Sequence, residues 1–286
     1  MQLKTRIFDT HVHIWDRSRT SYTWLQHADP NLQRNFDLAE LEPSRTSAGV
    51  TDGILVQAEN SLADTKLMLE AARNFKWIKG VVGWLPLMNT VQTSSLIDDE
   101  WQKQPLLVGV RHLIHDEPDD RWLLQTDVVN SLELLAINKI PFDVVGINAQ
   151  HIKTVLELAN KIPSLKMVFD HMNQPPIQTG QLFGEWGEWM KAVAKNQNLY
   201  VKLSGLGTTA GKHNFTSETI KPYVQFVIEH FGTGRIFCGG DWPVSLLGKD
   251  YINTWNIYKQ VLRELLSEPE IDDVLYNNAS KFYNID

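Results

Sequence analysis

The chain has 286 residues, and its 34 acidic residues outnumber its 27 basic ones, which gives a formal net charge of −7. Hydrophobic residues make up 43% of the chain and charged residues 21%, which is ordinary for a globular protein and excludes disorder as the main state. The acidic excess and the lack of a Lys/Arg cluster argue against a nucleic-acid partner.

Cysteine content and hydropathy limit the cellular compartments in which the protein is expected to function. Cys238 is the one cysteine, which excludes an internal disulfide framework and a zinc site built from several thiolates. The N-terminus lacks the apolar stretch of a signal peptide, and no apolar run reaches the ~18 residues that a membrane helix needs. These features predict a soluble cytoplasmic protein that acts on a small molecule, with no membrane partner. These features do not decide the oligomeric state, and the protein could be a homo-oligomer.

Eight short runs rich in Val, Ile and Phe, bounded by Gly, Pro or Asp, predict β-strands. In chain order they are Leu3–Asp9, Gly53–Gln57, Lys79–Leu85, Leu107–Arg111, Pro141–Val145, Lys166–Asp170, Leu199–Ser204 and Arg235–Gly240. Most of these runs are continuously apolar, as expected of strands that are buried on both faces.

Amphipathic stretches with helical spacing lie between most of the strands. They predict helices over Leu62–Phe75, Asp127–Ile137, His151–Lys161 and Ile220–Phe231, followed by a final helix over Ile271–Tyr283. Thr216 or Ser217 is expected to cap the fourth of these helices. Residues Ser18–Pro43 are weakly patterned and are predicted to form a loop after the first strand.

Alternation of strands with helices predicts a parallel sheet, and eight repeats at this length predict one (β/α)8 TIM barrel domain over residues 1–286. The competing architecture is an open, doubly wound sheet. That fold would require a Gly-rich phosphate turn after the first strand, where this sequence instead has Asp9-Thr10-His11-Val12-His13.

Two histidines end the first predicted strand. His11 and His13 are two residues apart, so in an extended segment both imidazoles point to the same face. At the C-terminal mouth of a barrel, this arrangement suits a shared metal ion or a shared substrate oxygen. The alternative without a functional role is a pair of surface histidines in a loop.

Other strands also end in polar residues. Arg111 and His112 follow the fourth run, His171 follows the sixth, and Asp241 follows the eighth. The ends of barrel strands converge in space although they are far apart in sequence. The sequence therefore predicts a functional site made of His11, His13, His171 and Asp241.

Five segments with these residues resemble the amidohydrolase superfamily, and within it the lactonase-rich "amidohydrolase 2" group. They are Phe-Asp-Thr-His-Val-His-Ile-Trp-Asp from Phe8, Gly-Val-Arg-His from Gly109, Phe-Asp-His-Met-Asn-Gln-Pro-Pro from Phe169, Val-Lys-Leu-Ser-Gly-Leu from Val201 and Gly-Gly-Asp-Trp-Pro-Val from Gly239. They occur in order over nearly the whole chain. That group includes hydrolases of sugar-acid lactones such as fuconolactone and rhamnonolactone, and the pyrone-dicarboxylate lactonase.

The resemblance implies a hydrolase of a sugar-acid lactone. It implies that His11, His13 and His171 surround the carbonyl or a metal ion, that Asp241 is the general base, and that Arg111 holds the carbonyl or carboxylate side of the substrate. Two positions depart from the family pattern. Gln174 stands where a lysine is usual, and Gly240 stands where a serine is usual, so substrate contacts there are in doubt.

The metal content is open at this point. Three imidazoles and the Asp241 carboxylate would suffice for one divalent ion, most naturally zinc, but the lactonase group includes members that work without a metal. Binuclear members of the superfamily that the sequence resembles use a bridging modified lysine at a middle strand end, and Pro141–Val145 has no lysine, so the resemblance implies at most one ion.

Several further residues are candidates for substrate contact, and each also has a structural interpretation. Lys202 is a charge inside an apolar strand, so it contacts the substrate or forms a buried ion pair. Trp15, Trp242 and His151 are predicted substrate contacts, with core packing or a surface position as the alternative. The remaining candidates are Gln57 and Glu59 as possible mouth residues, His112 as structural, His115 as a loop residue that could line a pocket, Trp84 as mostly core and Cys238 as a small core residue.

Two other functions compete with the lactonase. Related barrels with the same histidine and aspartate set decarboxylate aromatic acids, and they require a metal ion. A barrel that binds a sugar acid without turnover is the third alternative, although binding alone would need no base such as Asp241.

Overall fold

The central sheet is parallel throughout, with each strand paired to its neighbours in sequence. The computed structural model describes residues 6–285. Its eight strands pair in the order β1 to β8. They are β1 (Phe8–Val12), β2 (Asp52–Val56), β3 (Ile78–Gly83), β4 (Leu107–His112), β5 (Phe142–Val144), β6 (Met167–Phe169), β7 (Leu199–Leu203) and β8 (Ile236–Cys238).

Helices follow the strands and pack around the sheet. They are α1 (Leu38–Ala48), α2 (Leu62–Asn74), α3 (Thr90–Leu96), α4 (Thr126–Ile137), α5 (Ala149–Lys161), α6 (Gly184–Val193), α7 (Leu206–Ala210), α8 (Ser217–Phe231), α9 (Tyr251–Leu265), α10 (Glu268–Asp272) and α11 (Asn278–Tyr283). A π-helical turn over Asp273–Asn277 joins α10 to α11. Within residues 6–285, no helix is long and apolar enough to cross a membrane.

Hydrogen bonds between β1 and the end of β8 close the sheet into a barrel. The Asp241 N–H donates to the His11 carbonyl at 2.7 Å, and the His13 N–H donates to the Trp242 carbonyl at 2.7 Å. The Thr10 hydroxyl adds a bond to the Cys238 carbonyl at 2.8 Å. Closure therefore brings Asp241 beside the two histidines of β1.

Apolar side chains fill one end of the barrel interior. Phe8, Ile54, Val56, Val82, Val168 and Phe237 from the strands pack with Tyr276, Ala279, Phe282 and Tyr283 from the C-terminal helical segment. Each large side chain buried in this way contributes about 1.5–3 kcal/mol. Because this end is plugged, ligands can reach the barrel axis only from the carboxyl ends of the strands.

The predicted (β/α)8 barrel is confirmed, and the strand ends differ from the predictions by a few residues. The largest difference is in the first strand, predicted over Leu3–Asp9 and observed over Phe8–Val12. Pairing of Phe8 with Asp52 and of Val12 with Leu55 sets this position. Residues 3–5 of the predicted strand lie outside the described residues.

The segment predicted as a loop over Ser18–Pro43 contains a helix. Helix α1 begins at Leu38, and the Asp37 side chain caps it by accepting the Glu40 N–H. Pro43 lies inside α1, and it obscured the helical pattern because proline removes one backbone donor. The predicted cap of the later helix is confirmed, since the Thr216 side chain accepts the Thr219 N–H of α8.

Candidate active site

A cavity of about 260 Å³ opens at the carboxyl ends of the strands, opposite the plugged end of the barrel. This is near the small end of the usual range for small-molecule pockets. Its lining is His13, Trp15, Trp24, Ala58, Arg111, Leu113, His115, Val145, His171, Gln174, Thr208, Asp241 and Val244. The cavity thus joins residues from most of the loops that follow the strands.

The imidazoles of His11 and His13 converge as their spacing predicts. Their Nε2 atoms lie 3.1 Å apart, and the Asp241 Oδ1 atom lies 3.9 Å from the first and 3.6 Å from the second. His13 Nδ1 is 2.8 Å from the Val56 carbonyl, which can only accept, so Nδ1 carries the hydrogen. The His13 Nε2 lone pair therefore points at His11.

The Asp241 oxygens accept no hydrogen bond from residues 6–285, and, unlike Asp170, Asp241 has no lysine or arginine of these residues within ion-pair distance. Its backbone is left-handed, with φ +56°, an uncommon conformation for a non-glycine residue that is concentrated at functional sites. Gly239 permits the close approach of this turn to β1, since a Cβ there would lie 2.5 Å from the His11 Cβ. The carboxylate is thus held next to the histidine pair with free acceptor capacity.

His171 is oriented by Ser204, on the neighbouring strand end. The Ser204 Oγ accepts the His171 backbone N–H at 3.2 Å and lies 2.9 Å from Nδ1. The buried hydroxyl has no other acceptor within residues 6–285, so it donates to Nδ1 and leaves the hydrogen of the neutral ring on Nε2. Gly205, at φ +61°, allows this packing, because a Cβ there would lie 2.5 Å from His171 Nδ1. This geometry favours His171 as a hydrogen-bond donor over the predicted metal ligand.

Arg111 lines the cavity, as the sequence predicts, and two protein groups fix its guanidinium on the side away from the cavity. Its Nε lies 3.1 Å from Asp170 Oδ2, and its Nη1 donates to the Gln57 carbonyl at 3.0 Å. Nη2 makes no hydrogen bond to residues 6–285. The guanidinium is therefore fixed on two sides and keeps one nitrogen for a ligand.

Beneath the cavity lies a set of fully buried polar groups, here called the sealed layer, made of Asp143, Asp170, Lys202 and the Tyr283 hydroxyl. Lys202 Nζ is 2.5 Å from Asp143 Oδ2 and 3.1 Å from Asp170 Oδ1. The Tyr283 hydroxyl donates to Asp143 at 2.8 Å. Asp170 Oδ1 also lies 3.3 Å from His11 Nδ1, so this layer touches the histidine pair from below.

Burial and charge set the pKa values of these groups. Burial holds the pKa of His11 well below its ordinary value, and it also lowers the pKa of His171. Burial alone would raise the pKa of Asp170, but the charges of Lys202 and Arg111 and the neighbouring His11 ring keep it well below its usual range. At neutral pH the histidines are therefore neutral and Asp170 is ionised.

Two tryptophans form an aromatic wall on one side of the cavity. Trp15 and Trp24 pack edge to face with ring centroids 5.3 Å apart. Trp24 Nε1 donates to the Ala58 carbonyl at 2.7 Å. The Tyr22 hydroxyl donates to Asp64 Oδ1 of α2 at 2.7 Å and ties this segment to the barrel.

Three predicted substrate contacts lie outside the cavity lining. Lys202 is fully buried in the sealed layer, because two carboxylates compensate its charge there. The His151 Nδ1 accepts the Ile147 N–H, and its Nε2 lies 3.2 Å from Asp120. Trp242 is buried with its ring against Phe36, at a centroid distance of 5.4 Å. Trp15 is the one predicted substrate-binding residue that the structure brings into the lining.

Of the two remaining histidine candidates, one has a structural role and the other lines the cavity. His112 stacks on Trp122 and accepts the Trp84 Nε1 hydrogen, which is the structural role expected. His115 lines the cavity, and burial lowers its pKa to about 4.

The remaining candidates point away from the cavity. Gln57 donates to the Arg111 carbonyl, and Glu59 accepts the Thr23 N–H, while Ala58 between them faces the cavity. Cys238 is buried, and burial raises the pKa of its thiol, as expected of a core residue rather than a nucleophile.

Sequence reasoning missed Asp170, Trp24 and Thr208 as parts of the site. Asp170 had a visible signal, an acid at the end of an apolar strand directly before His171. Trp24 and Thr208 had none, since they reach the cavity from weakly patterned or short segments. Tertiary packing alone placed them there.

The donor set of this site fits one divalent metal ion. The His11 and His13 Nε2 atoms are too close to face each other with two bare lone pairs, so His11 Nε2 donates its ring hydrogen to His13 Nε2, or a cation lies between the two nitrogens. Together with Asp241 they form a group of two nitrogens and one carboxylate, the ligand types of zinc and similar ions. His171 belongs to a second group, with His11 and Asp170.

Comparison with known proteins shows which enzymes this chain is similar to. An L-fucono-1,5-lactonase of Burkholderia ambifaria is 29% identical over 281 residues, covering 97% of this chain and 95% of the relative. An L-rhamnono-gamma-lactonase of Scheffersomyces stipitis is 28% identical over 206 residues, covering 63% of this chain and 60% of the relative. An amidohydrolase of Burkholderia multivorans, crystallised with bound zinc, has a TM-score of 0.90 at 24% identity, covering 98% and 99% of the two chains.

The amidohydrolase family model matches residues 8–285, which is nearly all of the described structure. The segments that carry the resemblance in the sequence contribute His13, Trp15, Arg111, His171, Gln174, Asp241 and Val244 to the cavity lining, and Asp170 and Lys202 to the sealed layer. The chain belongs to the amidohydrolase family.

Proposed function

We propose that this protein hydrolyses a sugar-acid lactone, an aldonolactone, to the open-chain acid. The family and the lactonase names of its relatives make it a hydrolase of cyclic esters. The observation that carries the finer proposal is the meeting of Asp241, His171 and Arg111 around one cavity. These residues supply a base and two donors, which are the groups that ester hydrolysis needs.

Asp241 is the general base of this reaction. Its carboxylate lines the cavity and accepts no hydrogen bond from residues 6–285, so it is free to take a proton from water. The water oxygen then bonds to the lactone carbonyl carbon and forms a tetrahedral oxyanion. On collapse, the bond from carbon to the ring oxygen breaks, and protonated Asp241 returns its proton to that oxygen.

Arg111 and His171 stabilise the oxyanion. Arg111 offers the free Nη2, fixed in direction by Asp170 and the Gln57 carbonyl. His171 offers Nε2–H, fixed in direction by the Ser204 hydroxyl at Nδ1. Donors held in place before the reaction stabilise developing charge at little reorganisation cost.

His11, His13 and Asp241 would hold a divalent ion in this site, and the ion would polarise the carbonyl or lower the pKa of the attacking water. Zinc is the first ion to assay, because a related amidohydrolase structure contains it. The carbonyl contact of Arg111 and the donor at His171 do not depend on that ion.

The cavity favours a neutral substrate about the size of one sugar ring. Arg111 is the only lysine or arginine in its lining within residues 6–285, and Asp170 already compensates it. A second carboxylate on the substrate would find no free cation. The aromatic wall offers Trp15 and Trp24 to the apolar C–H face of a sugar ring.

The test is acid release from a panel of aldonolactones, beginning with L-fucono-1,5-lactone, compared with an enzyme-free blank. The panel is run on protein as purified and after chelation, with Asp241→Asn alongside. Release above the blank that Asp241→Asn abolishes supports the proposal. Loss on chelation and recovery with zinc would show that an ion takes part.

Two outcomes would overturn the proposal. Carbon dioxide release from hydroxylated aromatic acids, with no lactone hydrolysed, would indicate a decarboxylase. Saturable binding of a sugar acid with no turnover of any lactone would indicate a binding protein. A cytoplasmic location and the oligomeric state stay predictions of the sequence.

A further inference from the structure

Asp9 is a fully buried carboxylate on β1, two residues before His11, and it does not line the cavity. No lysine or arginine within residues 6–285 forms an ion pair with it. A buried carboxylate is costly unless hydrogen bonds compensate its charge. The groups that donate to Asp9 therefore show what this residue holds in place.

Three hydrogen bonds from three parts of the chain converge on the Asp9 carboxylate. Oδ1 accepts the Gly240 N–H at 2.7 Å and the His11 N–H at 3.0 Å. Oδ2 accepts the Tyr251 hydroxyl of α9 at 2.6 Å. Hydrogen bonds to an ionised acceptor are shorter and about twice as strong as neutral ones. A single carboxylate oxygen thus joins β1 to the turn that follows β8.

The two joined segments carry the groups that meet in the active site. Gly240 directly precedes Asp241, and the Asp241 N–H donates to the His11 carbonyl at 2.7 Å. The backbone of His11 is therefore linked to two consecutive residues of the turn, once directly and once through Asp9 Oδ1. Because the Asp241 oxygens accept no hydrogen bond from residues 6–285, the position of that carboxylate depends on the backbone of this turn.

The space beside the turn is filled by the Asp9 carboxylate and the tyrosine that donates to it. A Cβ on Gly240 would lie 2.5 Å from Asp9 Oδ2 and 2.6 Å from the Tyr251 ring. The next residue, Asp241, has a left-handed backbone with φ +56°, and such a conformation persists in a non-glycine residue only where its surroundings enforce it. Asp9 supplies one of the enforcing contacts, at the residue before Asp241.

We propose that Asp9 is a positioning residue that holds Asp241 against the pair formed by His11 and His13, and that Tyr251 keeps the Asp9 carboxylate in place. The proposal requires the acceptor at Oδ1 rather than the charge of Asp9. Its kinetic consequences rest on the proposed function, but the contacts that it asserts can be tested without a substrate.

Two substitutions at position 9 separate the acceptor from the charge. Asp9→Asn keeps an Oδ1 acceptor for both N–H groups, and the Tyr251 hydroxyl can accept from its Nδ2. Asp9→Leu keeps the branched shape but has no acceptor. We expect kcat of Asp9→Asn to stay near the wild-type value and kcat of Asp9→Leu to fall by about 10–100-fold, which is typical of the loss of a group that orients a functional side chain. KM should change little, because the cavity lining is intact.

Amide hydrogen exchange, resolved by NMR for single residues, tests the contacts without a substrate. In the wild type, the His11 and Gly240 amides should be protected, since each donates to a fully buried carboxylate. In Asp9→Leu we expect both to exchange about tenfold faster or more, the effect expected for the loss of a charge-assisted hydrogen bond. Exchange at Val81 of β3, whose N–H donates to the Leu106 carbonyl, reports any general loss of stability.

Zinc titration gives a second readout that requires no lactone. His11, His13 and Asp241 would hold the ion, and Asp9 keeps the two segments that carry them together. We expect the zinc affinity of Asp9→Leu to fall by about 10–100-fold. Asp9→Asn should bind zinc nearly as well as the wild type.

A matched pair of tyrosine variants tests the support of Asp9 and does not depend on the folding of Asp9→Leu. Tyr251→Phe removes only the bond to Oδ2, so we expect losses of about tenfold in kcat and in zinc affinity, at the small end of the usual range. Tyr223 is a buried tyrosine on α8 whose hydroxyl donates to the Pro176 carbonyl, outside the cavity lining. Tyr223→Phe loses a comparable hydrogen bond and should leave kcat and zinc affinity unchanged.

Three results would overturn the inference. The first is a wild-type protein whose His11 and Gly240 amides are unprotected. The second is a large loss of kcat and zinc affinity in Asp9→Asn, which would show that the charge matters and the acceptor does not. The third is a Tyr251→Phe protein that matches Tyr223→Phe in both quantities. A protein that hydrolyses no lactone but shows the expected exchange and zinc affinities would refute the proposed function and leave this inference standing.

Discussion

Two layers of polar residues cross the barrel axis, and they differ in how fully their hydrogen bonds are satisfied. In the mouth layer, made of His13, Arg111, His171 and Asp241, the first three side chains each have one group held by the protein, and the Asp241 oxygens accept no hydrogen bond from residues 6–285. In the sealed layer of Asp143, Asp170, Lys202 and Tyr283, charged groups face each other and water is excluded. Both layers contain carboxylates and cationic side chains.

The difference separates chemistry from positioning. A group with all its partners inside the protein cannot exchange a proton with a ligand, but it can fix the orientation of a neighbour. A group with a free lone pair or hydrogen can act on a substrate. We therefore propose that residues of the mouth layer carry out the catalysis and that residues of the sealed layer position them.

The largest effect is expected from Asp241→Asn. An amide cannot take a proton from water, so we expect kcat for lactone hydrolysis to fall by about 10²–10⁴-fold. The fold should persist, since the substitution keeps the shape of the side chain. Steady-state kinetics beside a thermal unfolding curve provides the check, with the exposed Asp98→Asn as control. Full activity in Asp241→Asn would remove the base from this mechanism.

Arg111→Lys tests the second member of the mouth layer. Lysine keeps a charge beside Asp170 but loses the free Nη2 of the guanidinium. Loss of one oxyanion donor typically lowers kcat by about 10²–10³-fold, and we expect a value near the lower end. Separate determination of kcat and KM tests this expectation. A change confined to KM would show that Arg111 binds the substrate without stabilising the oxyanion.

Trp24→Leu tests the aromatic wall, which belongs to the cavity but to neither polar layer. Loss of one ring face should cost about 1.4 kcal/mol of substrate binding, which corresponds to about a tenfold higher KM. We expect kcat to stay near the wild-type value. The control is Trp189→Leu on α6, outside the cavity. An unchanged KM would show that the sugar ring does not contact this wall.

Asp64 is a buried carboxylate outside both polar layers, and its pKa shows the effect of burial without a neighbouring lysine or arginine. No Lys or Arg within residues 6–285 forms an ion pair with it, and burial raises its pKa to about 6 from the ordinary value of 3.8. Asp170 is equally buried, but Lys202, His11 and Arg111 hold its pKa low.

The raised pKa of Asp64 predicts a pH dependence of stability. Because the folded protein binds this proton more tightly than the unfolded chain, the contribution is complete below about pH 3.8 and is lost as pH rises through about 6. Two pKa units correspond to about 3 kcal/mol. We expect the difference in unfolding free energy between the wild type and Asp64→Asn to change by this order across that window, as measured by urea unfolding. A difference independent of pH would contradict the assignment.

Much of the fold and part of the site could be predicted from the sequence. Short apolar runs, turn residues and amphipathic stretches are local patterns, and they identified the eight strands and the barrel. His11, His13, Arg111, His171 and Asp241 were found because polar residues at the ends of apolar strands are visible in one dimension. Their roles in catalysis stay predictions until the variants are measured.

The depth of a side chain along the barrel axis could not be predicted from the sequence. Alternation shows which residues of a strand point inward, but the register between strands decides how deep each one lies. Lys202 was therefore a plausible substrate contact in the sequence, whereas the structure places it beneath His11. The shift of β1 to Phe8–Val12 arises in the same way, from its pairing with β2.

The sequence by itself determined the barrel and the identity of the mouth residues, because local periodicity and residue chemistry encode both. Only the tertiary structure decided which polar groups reach the cavity and which hold them, since those contacts join residues far apart in the chain. Ser204 orients His171 from 33 positions away, and Lys202 meets His11 across 191. Closure of the sheet brings these strands together, and the packing inside it leaves Asp241 free and Lys202 sealed.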